Sequence, residues 1–288
     1  MKTKMLIALA AVLPMSLSAA PARDLPKWPL SSTDQIELGY ETMLKAALAK
    51  HAAKVALARQ VAMCEAVAAG DKAKVSTLIA DGGSPDTEMP FPPPEDFKHR
   101  YGQSDLGYYI NREPGFTVLM IATMLGDKDM VDTLLAAGAK AWKSTHRDHT
   151  FALWLAGRAQ RVDIMSSLMK INPIDDAARM RIDVNLGTQT ATLWKNGVSE
   201  MVIPISSGRA SKATPPGHYR VTDKYVEWSS TKYHAKMPYF LRLSCGDFGL
   251  HAGYLPGYPA SHGCIRLPPE KAKELFAVVP VGTLVEIQ

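Results

Sequence analysis

Residues 251–267 read His251-Ala252-Gly253-Tyr254-Leu255-Pro256-Gly257-Tyr258-Pro259-Ala260-Ser261-His262-Gly263-Cys264-Ile265-Arg266-Leu267. This stretch brings one cysteine together with two histidines, a neighbouring glycine and an arginine. A thiol that attacks a carbonyl needs a base to take its proton, an imidazole or cation that lowers its pKa, and backbone N–H groups that stabilise the oxyanion. The stretch offers a candidate for each requirement, so the sequence indicates a nucleophilic cysteine.

Two histidines compete for the role of the base. His262 lies two residues before Cys264, so in an extended strand the two side chains point the same way. His251 is separated from Cys264 by a loop rich in glycine and proline, which can fold the imidazole back onto the thiol. Gly263, with no side chain, lets a substrate approach the backbone closely. A lone cysteine near a histidine is more often a structural buried thiol, but here the residues form an ordered string.

The string Ser261-His262-Gly263-Cys264-Ile265-Arg266 resembles the motif of the YkuD-type L,D-transpeptidases. Two segments upstream resemble the same family: Thr214-Pro215-Pro216-Gly217-His218-Tyr219, and Met237-Pro238-Tyr239-Phe240-Leu241-Arg242 followed by Gly249-Leu250-His251. These ordered matches cover nearly all of residues 181–288. The resemblance implies a mainly β catalytic domain, a YkuD-like sandwich or barrel, that acts on peptidoglycan.

The resemblance also implies a role for each residue near the nucleophile. Cys264 attacks the amide between the third residue of a peptidoglycan stem tetrapeptide, usually diaminopimelate, and its terminal D-Ala. His251 is the general base, and the backbone carbonyl of Ala252 orients it. His262 shapes the site beside them.

Further roles follow from the same resemblance. The N–H groups of Gly263 and Cys264 form the oxyanion hole, and Ser261 helps to orient this turn. The residues implied to bind substrate are Arg266, Tyr239 and Phe240.

The acceptor of the acyl group stays open at this point. It is an amine of a second stem peptide, of a lipoprotein or of a free D-amino acid, or it is water. Transpeptidation is the family's default, and L,D-carboxypeptidase or endopeptidase activity and attachment of a protein to peptidoglycan are the alternatives.

We expect no cofactor and no metal. Two different classes of function compete with the acyltransferase: a zinc hydrolase with His251, His262 and Cys264 as ligands, and a binding module without catalysis.

Two further cysteines, Cys64 and Cys245, complete the three in the chain. We expect Cys245 to be a small buried residue rather than a second nucleophile. Because an exported protein meets an oxidising environment, a disulfide between Cys64 and Cys245 is also open.

The first residues predict export. Lys2 and Lys4 precede the apolar run 5–13, and the small residues 18–22 fit a cleavage site, so residues 1–22 resemble a secretory signal peptide. We expect a location in the periplasm or cell envelope and no membrane span after cleavage.

The formal net charge of the chain is +5. No basic strip interleaved with aromatic residues is present, so we expect a solvated basic surface and no nucleic-acid partner.

The part before the catalytic domain predicts helices. Residues 23–60 carry apolar residues at helical spacing. In residues 61–172, the string Gly70-Asp71-Lys72 recurs as Gly126-Asp127-Lys128, and a third copy begins near Thr150. The copy 115–139 resembles an ankyrin repeat, although Val118 and Met120 replace the family's proline and histidine. An unrelated helical bundle is the alternative.

An irregular, proline-rich insertion interrupts the repeats at 90–94. Its tyrosines, Tyr101, Tyr108 and Tyr109, either reach a protein partner or the catalytic groove, or pack as a covering loop. Stacked repeats present elongated surfaces for recognition, so we expect the helical region to bind a protein partner. The expected organisation is thus two domains, an all-α ankyrin-like region and, over residues 173–288, a mainly β catalytic domain.

Overall fold

A computed structural model describes residues 32–172, 174–246 and 248–288. The chain divides into two compact units, 1–53 and 54–288. The signal peptide predicted for residues 1–22 lies outside the described residues. Within the described part of the chain, no helix is both long enough and apolar enough to cross a membrane.

The helices occupy most of the chain before residue 180. In chain order they are α1 (Ser32–Ala68), α2 (Lys72–Ala80), α3 (Glu95–Tyr101), α4 (Asp105–Ile110), α5 (Val118–Leu125), α6 (Lys128–Ala136), α7 (Ala152–Arg158), α8 (Val162–Leu168), α9 (Asp176–Arg179) and, near the end, α10 (Pro269–Val278). In the unit 1–53, the described residues form the first part of α1.

The sequence repeat corresponds to a repeated turn. Gly70 and Gly126 adopt left-handed backbone conformations, with φ of 70° and 73°. Asp71 and Asp127 follow them and cap α2 and α6 by accepting a hydrogen bond from a backbone N–H of the first helical turn. In the third copy Gln160 takes the glycine position, with φ of 58°. The ankyrin resemblance itself stays a prediction.

The insertion is more regular than its prolines suggested. It contains the short helices α3 and α4, and their apolar residues are buried in the helical core: Phe97, Leu106 and Ile110. Tyr101 and Tyr109 pack against that core, whereas Tyr108 is 57% exposed. The interpretation as a covering segment therefore holds for two of the three tyrosines.

The chain after residue 179 forms one eight-stranded sheet. Its strands are β1 (Met180–Asn185), β2 (Thr190–Lys195), β3 (Val198–Pro204), β4 (Gly217–Tyr225), β5 (Phe240–Leu243), β6 (Gly249–Ala252), β7 (Ile265–Leu267) and β8 (Leu284–Ile287). Their spatial order is β3-β2-β1-β8-β4-β5-β6-β7. The expected combination of an α-helical N-terminal region and a mainly β C-terminal domain is confirmed, while the exact domain boundaries stay predictions.

Local turn chemistry explains the β2–β3 hairpin. Asn196 and Gly197 connect the strands with φ of 50° and 78°, which is the backbone of a type I′ turn. Asn and Gly tolerate these left-handed conformations at little cost, so this hairpin is encoded by two residues.

The two structural cysteines lie in different hydrophobic cores. Cys64 is 1% exposed in the helical core, and Cys245 is 5% exposed in the core of the sheet. The disulfide between them that the sequence left open is absent, because each thiol is enclosed by its own core. Burial raises the pKa of the Cys64 thiol to about 12. Cys245 is a buried small residue, as expected.

Helices α7 and α8 pack directly against the sheet domain within the unit 54–288. A Cβ atom added at Gly157 would lie 2.6 Å from the backbone oxygen of Ser244. The Ser244 hydroxyl donates to the Met165 sulfur at 3.1 Å, and the guanidinium of the buried Arg220 donates to the Ser166 hydroxyl at 2.8 Å. Because backbone and polar groups meet across this interface, the helices and the sheet are joined at specific positions.

We expect Gly157→Ala to destabilise the protein. In an open helix, alanine would gain up to about 1 kcal/mol over glycine. Overpacking against the fixed Ser244 backbone costs about 1–3 kcal/mol, so the net effect should be a loss. The measurement is the thermal unfolding midpoint of the full chain, with Gly187→Ala in the β1–β2 turn as control, because only a flexible Asn185 side-chain oxygen lies near that position. Equal midpoints for both variants would show that the interface tolerates a side chain.

Candidate active site

The pairing of β6 with β7 positions the predicted site. The two strands are parallel, and His251 lies opposite Arg266. Cys264 immediately precedes β7, and alternation along the strand puts its side chain on the same face as that of Arg266. The side chains of His251, Cys264 and Arg266 line one cavity of about 550 Å³.

His251 is held by a single backbone contact. Its Nδ1 lies 2.7 Å from the carbonyl oxygen of Ala252. A carbonyl only accepts hydrogen bonds, so Nδ1 carries the proton and Nε2 keeps its lone pair. Burial lowers the pKa of His251, and the positive charge of Arg266 lowers it further, while the Ala252 contact acts in the opposite direction. At neutral pH the imidazole is therefore a neutral base with a free Nε2 lone pair.

Cys264 is protonated in the resting site. Burial raises the pKa of its thiol, and this effect outweighs the lowering by the Gly249 backbone and by the cations Arg266 and Arg242. We expected a nearby imidazole or cation to lower the pKa of the Cys264 thiol below its usual value. This expectation is wrong for the unliganded site. Desolvation is the physical reason, since the thiol sits in the wall of the cavity.

The turn before the nucleophile is fixed by Thr214. The Thr214 hydroxyl donates to the carbonyl oxygen of Gly263 at 2.8 Å and accepts from the N–H of Gly208 at 2.8 Å. Gly263 has φ of 117°, a conformation that side chains rarely adopt. Because a trans peptide is planar, the N–H of Cys264 points away from Thr214. No heavy atom lies within 4 Å of a Cβ atom added at Gly263, so space for a substrate is left there as well.

Ser261 acts through its backbone. It is 3% exposed; its N–H donates to the Ser207 carbonyl, and its own carbonyl accepts from the N–H of Arg209, both at 2.9 Å. These contacts tie the nucleophile turn to the segment after β3.

The backbone at His262 differs from the extended strand expected for it. The premise of an extended strand is wrong, because β7 begins only at Ile265 and the φ of Gly263 breaks the alternation. His262 is exposed, its ring lies 4.5 Å from that of Tyr233, and its Nε2 accepts a hydrogen bond from Arg209 at 2.9 Å. It still lines the cavity. Desolvation and the charge of Arg209 lower its pKa.

The residues predicted to bind substrate are divided between two cavities. Phe240 is 2% exposed and lines the cavity of Cys264, with its ring 6.4 Å from that of His251. Tyr239, at φ of 54°, lines instead an adjoining cavity of about 730 Å³. Arg266 packs its aliphatic stem against Gly253, where an added Cβ would come within 3.1 Å of it. Ala252 borders both cavities.

Arg242 is a site residue that the sequence analysis quoted only as part of a motif. Its guanidinium forms an ion pair with Asp223 at 3.0 Å and lies 4.7 Å from the centre of the Trp228 ring. It lines the cavity of Cys264 and contributes positive charge there. The sequence signal for Arg242 was its position at the end of the motif that begins at Met237. Its ion-pair partner Asp223 lies in the neighbouring strand β4, so the local sequence does not indicate the pair.

A short arm covers the cavity. It runs between β4 and β5, and its two sides are joined by a bridge between Ser229 and Lys236 and by a hydrogen bond from the N–H of Met237 to the carbonyl of Trp228. Tyr233, near its tip, contacts His262. Among the described residues, no three His, Cys, Asp or Glu side chains are grouped so that they could hold a metal ion.

Comparison with known proteins shows which family the sheet domain resembles. Residues 179–287 match the YkuD family, the L,D-transpeptidase catalytic domain. The putative L,D-transpeptidase YkuD of Bacillus subtilis is 32% identical over 109 residues, which are 37% of this chain and 64% of that protein. The chain thus spans somewhat less than two thirds of the curated relative. The C-terminal part of the chain, residues 179–287, is thus similar to an L,D-transpeptidase catalytic domain.

Solved structures of L,D-transpeptidases also resemble the chain. One from Mycobacterium tuberculosis H37Rv has 28% identity and a TM-score of 0.36, and the match covers 38% of this chain and 57% of that one. The L,D-transpeptidase LdtMt1 in complex with imipenem has 24% identity and a TM-score of 0.36, with 38% and 59% covered.

The raised pKa of Cys264 predicts slow alkylation at neutral pH. A thiol whose pKa is raised stays protonated until the pH exceeds the ordinary value of about 8.5, so the rate with iodoacetamide should climb through the alkaline range. Mass spectrometry after brief labelling should map the adduct to Cys264, with the buried Cys64 and Cys245 as internal controls. A rate that is already at its plateau at neutral pH would instead indicate a thiolate–imidazolium pair.

Proposed function

We propose, from the L,D-transpeptidase catalytic domain in residues 179–287 and from the geometry around Cys264, that the protein is a cysteine acyltransferase acting on peptidoglycan stem peptides. One observation carries the proposal: the contact of His251 Nδ1 with Ala252 leaves Nε2 as a base in the cavity of Cys264. A neutral thiol and a neutral base in one desolvated cavity suit proton transfer that accompanies attack.

The first half-reaction forms a thioester. Nε2 of His251 takes the Cys264 proton as the sulfur attacks the carbonyl carbon between the third stem residue and D-Ala. The N–H groups of Gly263 and Cys264 stabilise the oxyanion. The C–N bond then breaks, and the imidazolium returns its proton to the departing D-Ala amine. The Ala252 carbonyl holds the ring in the required tautomer during both proton transfers.

The second half-reaction releases the enzyme. An acceptor amine attacks the thioester carbon, His251 takes a proton from that amine, and the sulfur leaves and is reprotonated. The adjoining cavity bordered by Ala252 and Tyr239 supports an amine acceptor rather than water, because it offers a second stem peptide a surface beside the thioester. Attack by water would give L,D-carboxypeptidase or endopeptidase activity instead, and an amine on a protein would give attachment to peptidoglycan.

Other residues support binding and location. Arg266 and Arg242 place positive charge beside Cys264, which suits the carboxylates of stem peptides. His262 shapes the rim, where Arg209 occupies its Nε2. The signal peptide predicted from the sequence supports a location in the periplasm or cell envelope.

Removing the nucleophile should abolish acyl transfer. We expect Cys264→Ala to give a folded protein that produces no cross-linked or exchanged muropeptides, as measured by mass spectrometry of cell-wall digests. Cys245→Ala is the matched control, since it removes a thiol from the core and should keep the products.

His251→Ala should lower the rate about a hundredfold or more through loss of the base. The product pattern also identifies the acceptor, and unchanged products in Cys264→Ala would refute the proposal.

Carbapenems should acylate the same sulfur. Their strained amide carbonyl presents the electrophile that the stem peptide presents, so imipenem should give one adduct on the peptide that contains Cys264. Because the pKa of His251 is lowered, the base stays neutral to lower pH, and acylation should fall only below the ordinary histidine value of about 6.5. An adduct on Cys245, or a rate that falls already above pH 7 on acidification, would contradict the assignment. His99→Ala, at an exposed position of α3, serves as the control variant.

A further inference from the structure

A third cavity lies where the helical region meets the sheet, and we call it the aromatic groove. It has a volume of about 720 Å³ and is lined by aromatic residues of both regions: Trp142, Phe151 and Trp154 from the helical region, and Tyr225 and Trp228 from the sheet domain. Its volume is in the range of sites that hold small-molecule ligands. Nothing in the catalytic steps uses the three helical residues.

The aromatic groove adjoins the cavity of Cys264. Trp228, Thr231, Arg242 and Gly246 line both. A substrate bound at Cys264 can therefore extend past Arg242 into the aromatic groove without leaving the protein surface. The occupant of the groove is thus expected to be covalently joined to the peptide at the nucleophile.

The chemistry of the groove fits an uncharged, amphipathic ligand. Its only charged lining residues, among those that the structure describes, are Asp223 and Arg242, and these two neutralise each other in an ion pair of 3.0 Å. Trp142 is 71% exposed and presents an open aromatic face. Hydroxyl groups of Thr222 and Thr231 stand among the rings as hydrogen-bonding partners.

We propose that the aromatic groove binds the glycan strand of peptidoglycan while the cavity of Cys264 receives the stem peptide. This inference rests on the proposed function. A pyranose ring presents a face of C–H groups that stacks on an aromatic ring, and its hydroxyl and acetamide groups hydrogen-bond to side chains such as Asp223. The sugars of the strand are uncharged where the stem peptide is attached, because their carboxyl group is consumed in the amide bond.

The length of the stem peptide is consistent with this arrangement. The reacting carbonyl belongs to the third stem residue, so three residues join it to the sugar. An extended chain spans about 3.3–3.6 Å per residue, which gives roughly 10 Å between the thioester and the glycan. The sugar must therefore bind close to the cavity of Cys264, and the aromatic groove shares four lining residues with that cavity.

The two walls of the groove are fixed to each other. A Cβ atom added at Gly246 would lie 2.7 Å from the ring of Trp154, so the loop after β5 packs directly on this tryptophan. Phe151 supports the Trp154 ring in an edge-to-face contact with the ring centres 5.0 Å apart. On the opposite wall, Tyr225 and Trp228 pack at 4.6 Å. The groove is thus preformed rather than assembled by the ligand.

The test compares two substrates in the full-length protein. One is a tetrapeptide without sugar, and the other is the same tetrapeptide on its disaccharide. Trp142→Ala should lower the ratio of kcat/KM for the sugar-bearing over the sugar-free substrate about five- to tenfold, mainly through KM. Tyr108→Ala removes another exposed aromatic residue of the helical region and should leave the ratio unchanged. The rate of acylation by imipenem checks that the Cys264 site is intact in each variant.

Each outcome decides the question. An unchanged ratio in Trp142→Ala, or an equal loss with both substrates, overturns the glycan assignment, and the second result would favour a peptide in the groove. If neither substrate is turned over while imipenem still acylates Cys264, the proposed function fails but the groove is still tested. In that case, a tetramer of N-acetylglucosamine should bind Cys264→Ala saturably by calorimetry and lose binding in the Cys264→Ala/Trp142→Ala double variant; no binding to Cys264→Ala would refute the groove.

Discussion

The parallel pairing of β6 with β7 is the constraint on which the site depends. Adjacent parallel strands need a crossover of about a dozen residues or more, and this role is usually taken by a helix. Here residues 253–264 make the connection as a loop, whose backbone groups must find partners elsewhere. The Ser207 carbonyl accepts hydrogen bonds from the N–H groups of Ala260 and Ser261, and the Ser206 hydroxyl donates to the Tyr258 carbonyl. These contacts fix the part of the loop that precedes Cys264.

Burial of the two reacting groups has a further consequence. Desolvation disfavours the charged forms of both, so it raises the pKa of Cys264 and lowers that of His251. The neutral pair is then favoured over the thiolate–imidazolium pair in the resting site. Arg266 lowers both pKa values, which stabilises the thiolate and keeps His251 unprotonated.

Local signals account for what the sequence predicted well. The repeated turns at Gly70-Asp71 and Gly126-Asp127 and the string around Cys264 each depend on residues that are neighbours in the chain. The extended backbone expected at His262 does not form, because Gly263 has φ of 117°. The ion pair of Arg242 with Asp223 joins two strands, and no local pattern reports it. The pairing of Cys64 with Cys245 stayed open for the same reason, because the sequence does not tell which core encloses each thiol.

The close contact between the helices and the sheet argues against an independent helical arm. Stacked helices could have formed an independent arm for a protein partner, as the repeats suggested. However, Gly157 and Gly246 both lie where a side chain would collide with the other region, so the approach is too close for a loose tether. Helix α8 also supplies the Ser166 hydroxyl to Arg220, which is 8% exposed and needs polar partners for its charge. An interface of this kind fixes the helical region in one position relative to the sheet. This fixed position is required if aromatic residues of the helical region are to line a groove beside the cavity of Cys264.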